Sequence, residues 1–415
     1  MANTINCNGE DAIDFDANNR FKLHPRFKNR GFSLRNAIIF LFLVIFPFGQ
    51  LLRINLNIFN LAITLQPIDL ILLLSLIYVA VHKNKLPSYI IYFLISSLFS
   101  FLFFTLLHPS KLLLTGLLYF IRFVAGIGFF LFISVQFKTE KQKLNLLNCL
   151  IAVIAVVGIF GWLQYFLLPD FRPLKILGWD DHLFRLIGTF LDPTYTGIIL
   201  VLGFFMTLGS YSALGKKSIW LILFFLVTVA FTYSRASYLA LVGGLIFFAF
   251  WKKKYLLPFL IIGVFSIIIV LLPRPSSEGV QLERTQSIYG RFRSYSEGLS
   301  IFKNNPVFGV GFNNYCYAKQ IYLKSDDLTS HSCSGSDSSI LNILATTGVV
   351  GLLIFVKMLS AIYKRVKNDM YGTVFVICSI SLFIHSFFSN SLFYTWVLSL
   401  MAILAGLAIT RNSEE

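Results

Sequence analysis

"LLLTGLLYFIRFVAGIGFF", residues 112–130, carries a single charge in nineteen residues. A helix rises 1.5 Å per residue and a bilayer's hydrocarbon core is roughly 30 Å thick, so about 20 apolar residues span it. A helix that is apolar on every side has no face to offer water. The stretch therefore reads as part of a membrane helix over 112–136. Its one charge, Arg122, lies near the middle, where an ionised side chain costs about 3 kcal/mol or more and faces a bundle interior or a wet cavity. Two readings of Arg122 stay open at this point: it binds an anionic head group, or it pairs with a buried acid or with backbone carbonyls.

Similar runs recur on both sides, near 36–52, 67–82, 88–107, 143–168, 194–212, 217–233, 236–251, 255–272, 339–361, 371–388 and 392–410. With 112–136 they make about twelve helices. The composition agrees: 56% of the 415 residues are hydrophobic and 13% charged, and the mean hydropathy is +0.75. A soluble chain of this size could not cover so much apolar side chain with its own polar surface. The expected fold is an all-α, polytopic integral membrane protein.

The formal net charge of +16 does not point to nucleic acid. The basic residues sit in short clusters between apolar runs, as topology signals and as contacts to anionic lipid head groups. Residues 1–35 lack the apolar core and cleavage site of a secretory signal and read as a disordered cytoplasmic tail. With that tail inside, alternate connections should be basic, and they are: "HKNK" at 82–85, "KTEKQK" at 138–143, "KK" at 216–217, "KKK" at 252–254 and "KRVK" at 364–367. Arg411 opens a short cytoplasmic tail, 411–415. Residues 36–410 then form one membrane domain with both ends cytoplasmic. The 51–66 stretch is ambiguous and fits a short interfacial segment.

Two outer connections are long, 169–193 and 273–338. Within the second, Ile288, Phe292, Tyr295, Leu299 and Phe302 recur at helical spacing. They predict an amphipathic helix over 287–304 lying across the outer mouth of the bundle.

The outer side is rich in arginine, against the usual bias. Arg185, Arg235 and Arg291 all fall there, and guanidinium groups bind phosphate oxygens bidentately at any physiological pH. Converging arginines would suit a lipid pyrophosphate. The first outer connection, "RINLNIFNLAITLQ" (53–66), has no Asp or Glu to hold a divalent cation. No HExxH, Cys-x-x-Cys pair or P-loop occurs. Outer-face chemistry is thus expected to work without metal or other cofactor, using Arg for charge and a His or carboxylate for proton transfer.

Four stretches resemble the O-antigen ligase and O-antigen polymerase superfamily. "RLIGTFLDPTYTG" (185–197) is similar to its Arg-x-x-Gly-Thr-Phe segment, and "TYSRASYLALVGG" (232–244) to its Ser-Arg-small segment. In "GRFRSYSEGLSIFKNNPVFGVGFNNY" (290–315) an Arg opens a helix that ends in Asn-Pro and then Gly-x-Gly. "HSCSGSDSSILNILATTGVVG" (331–351) resembles the fourth. The resemblance implies transfer of a glycan from an undecaprenyl-pyrophosphate carrier on the outer leaflet, with inversion at the anomeric carbon. The acceptor would be a lipid A core sugar for a ligase, or another lipid-linked repeat for a polymerase. It also implies that Arg235 and Arg291 hold the pyrophosphate, with Arg185 as a further arginine.

The fourth stretch departs from the pattern. The family places a His ahead of the first Gly of the following helix, with ten residues between the two. Here that Gly is Gly348, and the matching residue is Asp337; His331 lies six residues earlier. Register points to Asp337 as the proton acceptor, and His331 is the alternative by chemistry. A carboxylate among arginines should stay ionised. Asp337 is equally placed to cap the helix starting near Ser338.

Of the five cysteines, Cys316 and Cys333 both fall in the large outer loop, a compartment that permits disulfides. A Cys316–Cys333 bond is expected there, against the alternative of two free thiols. A second functional class, a transporter or flippase without catalysis, predicts two similar halves with interrupted helices. No such repeat is visible, and the large loop occurs once.

Overall fold

The computed structural model describes residues 34–58, 61–110, 113–177, 179–324 and 335–409, together with 14–15 and 21–22. Its helices are α1 (Leu34–Ile45), α2 (Pro67–Val81), α3 (Ser88–Leu107), α4 (Leu113–Gln136), α5 (Glu140–Leu167), α6 (Pro193–Gly209), α7 (Tyr211–Leu214), α8 (Ser218–Phe231), α9 (Arg235–Lys252), α10 (Leu256–Leu271), α11 (Gln286–Asn304), α12 (Tyr315–Leu323), α13 (Ser339–Tyr363), α14 (Met370–His385) and α15 (Thr395–Ala408). All but α7, α11 and α12 coincide with the twelve apolar runs. Among the described residues, six segments are long and apolar enough to cross a membrane: Leu34–Leu52, α3, Thr115–Gln136 of α4, α5, α9 and α13. The other six are apolar helices of 10–17 residues. The expected tail over 1–35 lies largely outside the described residues; α1 begins at Leu34, and Asp14–Phe15 pairs with Phe21–Lys22. The short tail after residue 410 lies outside them as well.

Polar residues at the run boundaries start the helices. Asp192 accepts from the Thr194 and Tyr195 N–H groups and Pro193 follows it, so α6 has both a cap and a proline whose missing N–H costs nothing there. Thr139 and Gln142 form a reciprocal capping box at α5. Ser234 caps α9 and Asp369 caps α14. The core is aromatic where helices cross. Phe46 packs edge-on to Trp396 with ring centroids 5.4 Å apart, and Phe190 packs edge-on to the same indole at 5.6 Å.

The ambiguous 51–66 stretch is a 3-10 turn, Phe46–Leu52, followed by an antiparallel hairpin. Ile54–Ile58 pairs with Leu61–Leu65 from Ile54↔Leu65 to Ile58↔Leu61. The alternation in "INLNI" is a strand period rather than a helical one. The hairpin leads into α2, where the Gln66 N–H donates to Asp69 Oδ2 at 2.9 Å.

In the large loop, α11 occupies the expected position but turns part of its apolar stripe outward. Ser294, Gly298 and Ile301 are its buried residues, whereas Phe292 is 64% and Leu299 45% exposed. Small residues let α11 approach α13 closely; Ile301 and Phe302 pack inward, and Phe292 and Leu299 point outward. A second helix, α12, is tied to α11 by a buried ion pair, Lys319 Nζ to Glu297 Oε2 at 2.8 Å.

Between α11 and α12 the Asn-Pro-Val-Phe-Gly segment fills a break in α13. Gly348 has φ +67, outside the helical region. The N–H groups of Val349 and Val350, freed by that break, donate to the carbonyls of Pro306 (2.9 Å) and Val307 (3.3 Å). Val310 N–H donates back to the Ala345 carbonyl at 3.1 Å. From α3, Ser100 Oγ lies 2.5 Å from the Phe308 carbonyl and 2.9 Å from that of Thr346. Loop and helix thus exchange backbone bonds that neither could make alone.

Candidate functional site

Arg185, Arg235, Arg284 and Arg291 gather around the turn that precedes α9. Tyr233, in that turn, adopts a left-handed φ of +49. Its carbonyl accepts from Arg185 (3.3 Å) and Arg284 (3.0 Å), and Arg185 Nε also donates to the Thr232 carbonyl at 3.0 Å. Arg185 is buried, and its guanidinium gives two of its five N–H groups to these carbonyls. Arg235, the first residue of α9, donates to the Leu282 carbonyl (3.0 Å) and to Ser287 Oγ (2.6 Å). Arg291, on α11, lies 5.9 Å from the Phe388 ring and makes no hydrogen bond among the described residues.

None of the four has an ion-pair partner among the described residues; the seven ion pairs there all lie elsewhere. Burial, and after it the charge of Arg284, lowers the pKa of Arg185 to about 9. Burial, then Arg235 and Arg291, lowers that of Arg284 to about 10. Both stay charged at neutral pH. The N-termini of α6 and α9 meet beside them, with Ser237 Oγ 3.4 Å from the Thr194 carbonyl. Helix N-termini add partial positive charge to a site already positive.

Asp337 stands at the end of the large loop, just before α13. Its N–H donates to Ser294 Oγ at 3.0 Å, on the face of α11 that carries Arg291 one turn earlier. Asp337 does not cap the helix; Ser338 does, accepting from the Leu341 N–H at 3.4 Å. The carboxylate is therefore left for other work. The ionised form is less favoured than charge alone suggests. Burial raises the Asp337 pKa, and the opposing pull of Arg291 does not cancel it. His331 and Cys333 lie outside the described residues. Cys316 is disulfide-bonded, with a partner outside the described residues; Cys149 and Cys378 are free.

A histidine that the sequence reading passed over lies behind the arginines. His385, at the end of α14, is fully buried. Its Nδ1 lies 2.5 Å from Ser391 Oγ and its Nε2 3.4 Å from Ser237 Oγ, which is 2.9 Å from the α9 cap, Ser234 Oγ. A sequence signal existed: a His closing an apolar run into "SFFSNS" (386–391), which is polar at Ser386, Ser389, Asn390 and Ser391.

Arg122 stands apart from the arginine cluster. It donates to Asp69 Oδ2 at 2.6 Å and to the Thr64 carbonyl at 2.9 Å, and its guanidinium carbon lies 4.7 Å from the Tyr119 ring. Of the two readings of Arg122, these contacts are those of pairing with an acid and a carbonyl. It also lines a cavity of about 230 Å³ bounded by Arg53, Trp179, Asp192, Tyr195 and Tyr394. Arg53 stacks on Trp179 at 4.3 Å. Among the described residues no group of three or more His, Cys, Asp or Glu converges as a metal set.

Residues 220–356 match the family model described as O-antigen ligase. The match takes in the Ser-Arg, Asn-Pro-Gly and Asp337 stretches and leaves out the Arg185 stretch. No curated protein matches the chain.

Proposed function

We propose that this chain, whose residues 220–356 match the O-antigen ligase family model, is a member of the O-antigen ligase/polymerase superfamily and moves a glycan from undecaprenyl pyrophosphate to a sugar acceptor at the outer face of the cytoplasmic membrane. The observation that carries the reading is the set of four arginines with no ion-pair partner among the described residues, gathered where two helices begin. Arg185 is buried and the other three are partly so; clustered cations repel one another unless an anion joins them, and a pyrophosphate does so with several oxygens at once.

In the proposed mechanism Arg235 and Arg291 hold the pyrophosphate. Arg185 and Arg284 fix the turn that presents Arg235. The acceptor hydroxyl attacks the anomeric carbon from the face opposite the phosphate, so the configuration inverts. The sugar–oxygen bond breaks and its electron pair leaves with the pyrophosphate, whose growing charge the arginines stabilise. Asp337 takes the hydroxyl proton. The acceptor is a lipid A core sugar if the chain is a ligase and a lipid-linked repeat if it is a polymerase. The alternating basic connections support cytoplasmic termini and an outward-facing site.

One observation favours the transporter reading: α13 is interrupted, as transporter helices often are. In transporters the freed backbone groups bind substrate or ions. Here those of Val349 and Val350 are taken by Pro306 and Val307, which leaves the break no ligand to hold.

The test is deletion of the gene, with analysis of surface glycan and lipid-linked intermediates. Single repeats on the surface lipid identify a lost polymerase. Long chains stranded on undecaprenyl pyrophosphate identify a lost ligase. An unchanged glycan in a strain with no second such gene rejects the reading.

A further inference from the structure

We infer that the cavity beside the arginine cluster, walled by Trp179, Tyr195, Tyr394 and Asn390, is a subsite for an uncharged sugar ring; the inference rests on the glycan-transfer reading above. The cavity and the arginine cluster differ in charge. The cavity's lining holds two cations, Arg53 and Arg122, and two carboxylates, Asp180 and Asp192. Arg122 is further neutralised by Asp69 at 2.6 Å. No positive surplus remains to draw a phosphate or a uronic acid, whereas around Arg235 and Arg291 the surplus is large.

The walls define the ligand further. Aromatic rings line one part; Tyr195 and Tyr394 stack with centroids 3.9 Å apart. Amides and hydroxyls line another, including Gln50, whose amide donates to Tyr394 OH at 2.8 Å. Asn390 Oδ1 is buried and has no hydrogen-bond partner among the described residues. A buried polar atom without a partner requires an explanation, and a turn of the Asn390 amide would bring Oδ1 to a ligand hydroxyl in the cavity this residue lines. An isoprenoid tail would leave these polar groups stranded at a cost. A pyranose offers apolar C–H faces for the rings and hydroxyls that both donate and accept. At about 230 Å³ the space is below the roughly 300–1,000 Å³ of drug-sized sites, which suits one ring rather than an extended oligosaccharide.

The position fits transfer. Asp192 lines the cavity and caps α6, and the start of α6 touches the start of α9, where Arg235 stands. A ring in the cavity would lie next to a pyrophosphate on the arginines.

The full chain in lipid nanodiscs would be titrated by ligand-observed NMR. The probes are galactose and N-acetylglucosamine, then glucuronic acid and glucose 6-phosphate, then farnesyl pyrophosphate for the arginine site. Saturable binding of an uncharged sugar is expected, weakened roughly tenfold by Asn390→Ala, as loss of one or two hydrogen bonds predicts, and also weakened by Trp179→Ala. Both variants should keep farnesyl pyrophosphate binding, which shows that they are folded. If no uncharged sugar binds, if the acidic sugars bind equally well, or if both variants bind like wild type, the inference is wrong. Farnesyl pyrophosphate binding that fails while uncharged sugars bind would sink the transfer reading and leave the sugar subsite standing. In membranes holding both glycan lipids, a Trp179→Ala rise in KM for the donor alone assigns the cavity to the donor's sugar, and a rise for the acceptor alone assigns it to the acceptor's. Unchanged KM for both overturns the inference.

Discussion

The backbone N–H of Asp337 donates to Ser294 Oγ at 3.0 Å, which ties the last residue before the α13 cap to the face of α11 that carries Arg291. The carboxylate and the guanidinium are thereby positioned from two helices fastened to each other. Removing the proton acceptor should cost about 10²–10⁴ in rate. Asp337→Asn is accordingly expected to abolish glycan transfer in a complementation assay while protein levels hold. Arg291→Ala should lose about 10²–10³, as removal of one group stabilising a developing charge typically does. A fully active Asp337→Asn would move the proton acceptor to His331.

The pH dependence follows from the burial of Asp337. Its pKa is raised by burial, with Arg291 opposing, so its carboxylate forms only above the ordinary Asp value of about 3.9. Transfer is expected to rise with pH through an apparent pKa above that value. The sign for stability is opposite. Between the unfolded and folded pKa values the native state keeps a proton that the unfolded state has released, so stability falls as pH rises through that window. Asp337→Asn should remove this contribution. Transfer assays and thermal unfolding in detergent at several pH values check the two signs: the variant should be at least as stable as wild type at neutral pH while being inactive.

The twelve apolar helices were legible because each is a continuous run. The details that were not legible share one cause: the deciding partner is remote in sequence or is lipid. Periodicity found the apolar stripe of α11 but not that part of it faces outward, because a membrane-bound protein can turn Phe292 and Leu299 away from itself. Helix α12 carries Lys319, a residue that ordinarily marks a solvated face; it is buried because Glu297 is there to meet it. His385 gained its setting from Ser237, 148 residues away. Arg185, expected as a further arginine at the pyrophosphate, also makes backbone contacts to Thr232 and Tyr233, which no local pattern encodes.

Gly348 is required twice over. Its φ is +67, and a β-carbon there would stand 2.2 Å from the Val307 carbonyl oxygen. Gly348→Ala would strain the backbone and push the Asn-Pro-Gly segment out of the α13 break, leaving the Val349 and Val350 N–H groups unpaired. A loss of about 4 kcal/mol or more is expected, the size that marks combined strain and buried unsatisfied groups. Thermal unfolding of the detergent-solubilised variant would show it, and a transition within error of wild type would contradict the contact.

The Arg122–Asp69 pair makes the last prediction, because it separates a structural charge from a ligand-binding one. The two side chains are 14% and 18% exposed. Breaking such a pair strands the survivor, at about 3 kcal/mol when burial is extensive and less here because some solvent reaches it. Asp69→Asn and Arg122→Gln should each lower the unfolding temperature, and the double variant should recover much of the loss because neither charge is then left alone. Transfer activity, corrected for folded protein, discriminates further. If Arg122 acts only through Asp69, the double variant regains activity along with stability. If it also contacts the donor, stability returns and activity does not, and the KM for the lipid-linked donor rises.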